Sequence, residues 1–145
     1  MPEQTTSSIV IGATPQAVMA VIVDFEDYPA WVQGMKAVEV TSRDADGRAE
    51  QVHFELEAAP IKDSYTLAYD YVSDSTLRWT LVEGKMLRAM EGSYDLVATG
   101  AGTEVTYKLA VDVAIPMIGM LRRKAEKVII DTALKGLKKR VESLS

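Results

Sequence analysis

Residues 116–145, PMIGMLRRKAEKVIIDTALKGLKKRVESLS, hold the reading on which the fold turns. Pro116 suits the start of a helix, and no further proline interrupts Met117 to Ser143. Apolar residues recur at Ile118, Leu121, Ala125, Val128, Ile129, Ile130, Ala133, Leu134, Leu137, Val141 and Leu144, the spacing of a helix with one apolar side. At ~1.5 Å per residue this predicts a helix about 40 Å long. Each large side chain on the stripe gains roughly 1.5–3 kcal/mol on burial, so the helix must lie against something.

That something lies upstream. From Met35 the period changes to two. Val38 and Val40 alternate with polar residues up to Asp44-Ala45-Asp46-Gly47, a hairpin turn. Val52, Phe54, Leu56 and Ala58 then share a face opposite His53, Glu55 and Glu57. Further strands carry Tyr65, Leu67, Tyr69 and Tyr71, then Leu77, Trp79 and Leu81, then Met86 to Val97. The last has Val105, Tyr107, Leu109, Val111 and Val113 against Glu104, Thr106, Lys108 and Asp112. Short turns between them predict an antiparallel meander.

Ahead of it, Ser7 to Gly12 reads as a short strand with Ile9 and Ile11 on one face. Thr14-Pro15 reads as an N-cap and first helical position, with Val18, Val21, Ile22 and Phe25 at helical spacing, a helix of about eleven residues. Pro29 to Gln33 allows one more turn before Gly34. The order is strand, two short helices, six strands, long helix: an α+β chain.

The 145 residues predict one domain, 1–145, with 48% apolar and 26% charged residues and a mean hydropathy of +0.01. The absence of cysteine excludes disulfides, thiolate catalysis and thiolate metal sites. Met1 to Thr6 lacks a basic and then apolar signal pattern, and no apolar run reaches membrane-spanning length, so a cytoplasmic location is expected. Net charge is −5, divided unevenly: residues 117–145 hold 8 basic and 3 acidic residues, residues 1–116 hold 8 and 18. The acidic body argues against nucleic acid as a partner. Arg122, Arg123, Lys124, Lys127, Lys135, Lys138 and Lys139 form either the solvated back of the helix or a contact with an anionic membrane.

These elements resemble the helix-grip fold of the SRPBCC superfamily, which includes START lipid-transfer domains and polyketide cyclase/dehydrase-like proteins. Ala13-Thr14-Pro15-x-x-Val18 followed by Asp24-Phe25-x-x-Tyr28-Pro29-x-Trp31 is similar to the cyclase/dehydrase and coenzyme-Q-binding branch. So are Gly92-Ser93-Tyr94-x-Leu96 and Gly102-Thr103-x-Val105-x-Tyr107. The resemblance implies a curved seven-stranded antiparallel sheet around the C-terminal helix, with a mostly apolar cavity between them. In that family the short second helix and nearby loops edge the opening. Trp31, Met117, Ile118, Met120 and Leu121 are therefore placed at its entrance, although core packing accounts for them as well.

With the apolar strand faces turned inward, the expected ligand contacts are Phe54, Tyr65, Leu67, Tyr69, Trp79, Leu81, Tyr94 and Tyr107, with Trp31, Met117, Met120 and Leu121 at the entrance. A phenol titrates near 10 and burial raises that, so these tyrosines are hydrogen-bond donors rather than bases. They either fill the core or serve a ligand; a dry core would satisfy so many hydroxyls poorly. Arg88 joins Met86, Met90, Tyr94 and Leu96 on the inner face if the strand keeps its register, ready for a ligand carboxylate or enolate. A bulge marked by Gly92 would turn it outward. His53, Glu55 and Glu57 have flat strand spacing that closes a metal shell poorly, so no metal and no cofactor are expected. The function expected is binding or transport of a hydrophobic small molecule (lipid, quinone or polyketide-like) in a pocket of a few hundred Å3. A cyclase/aromatase acting on a poly-β-keto chain is the alternative, with no catalytic residue assigned. A basic helix docking on an acidic partner or membrane is compatible with either.

Overall fold

The computed structural model describes residues 4–58, 61–114 and 119–144. Strand β1 (Thr5–Ile11) leads into helix α1 (Pro15–Ile22) and a 3-10 helix (Phe25–Ala30). Six strands follow: β2 (Met35–Arg43), β3 (Ala49–Ala58), β4 (Ile61–Ser73), β5 (Thr76–Gly84), β6 (Leu87–Thr99) and β7 (Gly102–Val113). Helix α2 (Gly119–Ser143) closes the chain. The strands form one antiparallel sheet in the order β1-β7-β6-β5-β4-β3-β2, with β1 returning to pair with β7 from Thr5↔Leu109 to Ile11↔Thr103. This is the α+β helix-grip arrangement that the sequence predicts. No described helix is long and apolar enough to cross a membrane.

Local chemistry fixes the turns. Thr14 caps α1 by accepting the Ala17 N–H at 3.2 Å, with Pro15 in the first helical turn. The expected eleven-residue helix stops at Ile22, and Phe25 opens the 3-10 helix instead. Pro29 lacks an N–H and disfavours α geometry at Tyr28, and the tighter winding aligns Phe25 with Tyr28, three residues on, so both are buried. In the β2–β3 hairpin, Asp44 Oδ1 accepts the N–H groups of Asp46 and Arg48 at 2.9 and 3.0 Å, and Gly47 takes a φ of 82°. The buried Asp63 carboxylate accepts from the backbone of Ser64, Lys85, Met86 and Leu87 at 2.8–3.1 Å, fastening the β5–β6 turn to β4.

Helix α2 lies on the concave side with Ala125, Ile130, Ala133, Leu134, Leu137 and Val141 buried. Val128 and Leu144, placed on the apolar stripe by spacing, are exposed instead: Val128 lies on the side of the helix away from the sheet, and Leu144 lies beyond the last helical residue, Ser143. Pro116, Met117 and Ile118 lie outside the described residues, as does the side chain of Leu121. Glu126 is fully buried on the gripped side. Its Oε1 accepts from Thr5 Oγ1 at 2.6 Å and its Oε2 from the Val111 N–H at 2.7 Å. One carboxylate thus ties α2 to both strands of the β1–β7 pair.

Candidate functional site

Pleating sends alternate side chains of β3 to β7 toward α2, and six of them are aromatic: Phe54, Tyr65, Tyr69, Trp79, Tyr94 and Tyr107. They enclose a cavity of about 80 Å3 between the sheet, α2 and the passage from the 3-10 helix to β2. The sheet supplies Phe54, Leu56, Tyr65, Leu67, Tyr69, Trp79, Met90, Tyr94 and Tyr107. The other wall is Tyr28, Trp31, Val32, Gln33 and Met35, facing Ile129, Thr132 and Ala133 of α2. Gln33 is exposed and Trp31, Val32, Met35, Ile129 and Thr132 are half-buried, so the mouth opens between this passage and the helix.

The rings form one connected cluster. Centroids are 5.1 Å apart for Tyr28 and Trp31, 5.4 Å for Phe54 and Tyr65, 5.3 Å for Trp79 and Tyr94, and 4.7 Å for Tyr94 and Tyr107. Gly92 makes this possible. It lies opposite Trp79 in the β5–β6 pair, and a Cβ there would sit 2.3 Å from the indole ring. Gly136 does the same at the mouth, where a Cβ would come within 2.9 Å of the Trp31 carbonyl oxygen.

The polar atoms of the cavity are mostly unpartnered. Tyr28 donates its hydroxyl to the Ile22 carbonyl. Among the described residues, the hydroxyls of Tyr65, Tyr69, Tyr94 and Tyr107 make no hydrogen bond. Trp31 Nε1 is buried with no acceptor among them. Burial holds the phenols of Tyr28, Tyr65, Tyr69, Tyr94 and Tyr107 well above their ordinary pKa; at all but Tyr107 neighbouring phenols act in the same direction, as do the Asp24 charge at Tyr28 and the Asp63 charge at Tyr65. They are protonated donors at neutral pH. Among the described residues no Asp, Glu, Lys, Arg or His lines the cavity; Gln33 and Thr132 are its remaining polar side chains.

Eight of the expected ligand contacts meet here: Trp31, Phe54, Tyr65, Leu67, Tyr69, Trp79, Tyr94 and Tyr107. Leu81 does not. β5 pairs with β6 only as far as Thr80, and Leu81, just past that point, packs half-buried on the core without joining the lining. Arg88 is a correction too. Leu87 pairs with Val113 and Ala89 with Asp112, so Arg88 is the extra residue of a bulge and points to solvent. The bulge lies four residues before the glycine that marked it, and Met90 keeps its inward place. Met120 is 70% exposed, half a turn out of phase with Ile129. Met117 and the Leu121 side chain lie outside the described residues. Reading the sequence strand by strand missed Tyr28, whose signal was its three-residue spacing from Phe25. The cavity is also smaller than the few hundred Å3 expected, because the rings themselves occupy the concave face.

On the outer face, His53 Nδ1 lies 3.0 Å from Thr66 Oγ1 while Glu55 and Glu57 are exposed. Tyr71 leaves the cavity row, donating its hydroxyl to the Ala49 carbonyl at 2.7 Å beneath the Arg48 guanidinium.

The family model for polyketide cyclase/dehydrase and lipid transport matches residues 2–142. No curated protein matches the chain at a significant level. Among solved structures, a START superfamily protein from Mycobacterium smegmatis is 24% identical over 99% of each chain, with a TM-score of 0.93. A protein from Thermus thermophilus is also 24% identical over 98% of this chain and 99% of its own, with a TM-score of 0.79. The Zhui aromatase/cyclase from Streptomyces sp. R1128 is 12% identical over 98% and 94%, with a TM-score of 0.74. At these identities the three share the fold.

Proposed function

The chain belongs to the polyketide cyclase/dehydrase and lipid transport family, and from that premise we propose that it binds and carries an apolar small molecule bearing one or two oxygens. One observation supports this reading: five residues of the lining, Trp31, Tyr65, Tyr69, Tyr94 and Tyr107, carry an indole N–H or a phenol hydroxyl with no hydrogen-bond partner among the described residues. A buried polar group left unpaired costs about 1–3 kcal/mol, and a ligand oxygen would relieve it. In the state described, about 80 Å3 is below the ~300 Å3 of pockets that seat drug-sized molecules. It has room for a few waters at roughly 10–15 Å3 each. A guest of ring size would need the half-buried side chains of the mouth to move, Trp31 first.

Carriage fits better than turnover. Cyclisation of a keto chain asks for groups that take and return protons near neutral pH. The described lining offers phenols whose ionisation burial suppresses, and no carboxylate, imidazole or amine.

Both tryptophans of the chain line the cavity, so intrinsic fluorescence reports on it directly. Titration with an aromatic ketone is expected to give a saturable change, and the hydrocarbon of the same shape a weaker one. A flat signal with every such pair would defeat the reading.

A further inference from the structure

We propose that the outward stripe of α2 docks the protein on an anionic lipid bilayer beside the cavity mouth, so that cargo passes between membrane and cavity. The role given to cargo rests on the carrier reading above; the docking surface stands on its own geometry. Lys124, Val128, Lys135 and Lys139 fall within an arc of about 60° at 100° per residue, all exposed, on the side of α2 turned away from the sheet. Thr132 of the mouth lies one turn beyond Val128, and Ile129 is its neighbour, so the stripe borders the opening.

Glu142 shares this arc but is engaged by Lys138 and the Gly12 N–H, and the lysines of the stripe are unspent. Lys127 pairs with Asp131 at 3.1 Å, Lys138 with Glu142 at 2.8 Å and Arg140 with Asp27 at 2.5 Å. Among the described residues Arg122, Arg123, Lys124, Lys135 and Lys139 have no acidic partner. Glu126, the remaining carboxylate of the helix, is buried on the far side. The rest of the chain, residues 1–116, carries 18 acidic against 8 basic residues, so the molecule presents this one side to an anionic surface. Met120 and Val128 are 70% and 42% exposed among these cations. Apolar side chains interleaved with lysines on one helix face suit shallow seating at the headgroup boundary.

Near an anionic leaflet each such cation multiplies partitioning by about fivefold. The test is cosedimentation of the ligand-free protein with phosphatidylcholine vesicles containing or lacking about 30% phosphatidylserine. Binding is expected only with phosphatidylserine, falling as salt rises from about 0.05 to 0.5 M. The double variant Lys124→Glu, Lys135→Glu should lose at least about 25-fold. Arg78→Glu, Lys108→Glu, on the convex face, makes the same change in net charge and should lose little. Lys135→Ala, Lys139→Ala serves as a milder pair on the same stripe, losing about 25-fold. Absence of binding to anionic vesicles, capture by acidic protein alone, or equal losses in the α2 and convex-face variants would overturn the proposal. Such a result with the ketone titration intact removes the docking surface and leaves the carrier; a flat titration with vesicle binding intact does the reverse.

Discussion

Trp31 is the residue at which the account is most exposed to test, because its buried indole N–H has no acceptor among the described residues. Trp31→Phe keeps an aromatic ring at the mouth and removes the donor. A ligand oxygen that receives this N–H should then bind about 5–15-fold more weakly, the worth of a hydrogen bond at about 1–1.5 kcal/mol, while an oxygen-free hydrocarbon binds as before. Equal changes for both ligands, read in the tryptophan or calorimetric titration, would mean that Trp31 acts by shape alone. Arg88 gives the complementary case. Lying outside on its bulge, it has no route to the cavity, so Arg88→Ala should leave ligand affinity unchanged. Its position was illegible from sequence because alternation specifies a face only while the register holds, and a one-residue bulge reverses it without changing composition. Gly92 was the visible mark on this strand, but it serves a different purpose, making room for Trp79.

Elements meet through a few contacts that the sequence read as belonging to separate segments. Gly136 of α2 lets the Trp31 backbone and ring approach the helix, and the Arg140–Asp27 pair at 2.5 Å joins the same helix to the 3-10 segment. Gly136→Ala adds a methyl that meets the Trp31 carbonyl at 2.9 Å. Overpacking of this kind costs about 1–3 kcal/mol and displaces the mouth, so a lower melting temperature with altered ligand affinity is expected. On the opposite side, Glu126→Ala strips Thr5 and Val111 of a shared acceptor and leaves a buried N–H unpaired. A loss of about 1–3 kcal/mol in denaturant unfolding follows, with Glu126→Gln milder because one carbonyl oxygen remains. Strands, turns and the long helix were legible because alternation, Gly47, Thr14-Pro15 and a long apolar stripe are local signals. Glu126 was not, since its partners lie at the far end of β1 and in β7 and nothing near it announces them. Tyr28 escaped for a related reason: it belongs to a 3-10 helix, whose three-residue period neither the helix nor the strand reading follows.

For the molecule as a whole, the same tyrosines that recommend a ligand make an alkaline limit. Their folded pKa values lie above the unfolded value of about 10, so the unfolded chain gives up these protons first as pH rises. The stabilisation is complete below about pH 10 and is lost above it. Thermal melts should therefore show no tyrosine contribution to pH dependence between about pH 7 and 9, and a falling melting temperature beyond about pH 10. Ligand affinity should likewise be free of phenol titration across that neutral range. The fold could be read at this scale because the order of elements and the gripped helix admit few arrangements. The size of the cavity could not, because it depends on how far aromatic rings fill the concave face they line. Whether that face receives a guest is the central claim. Native mass spectrometry of protein purified without detergent, with the released molecule identified, tests it most directly. We predict one apolar, oxygen-bearing compound per chain, lost on denaturation. The bare polypeptide mass alone, persisting after incubation with aromatic ketones, would contradict the account and leave the rings as core.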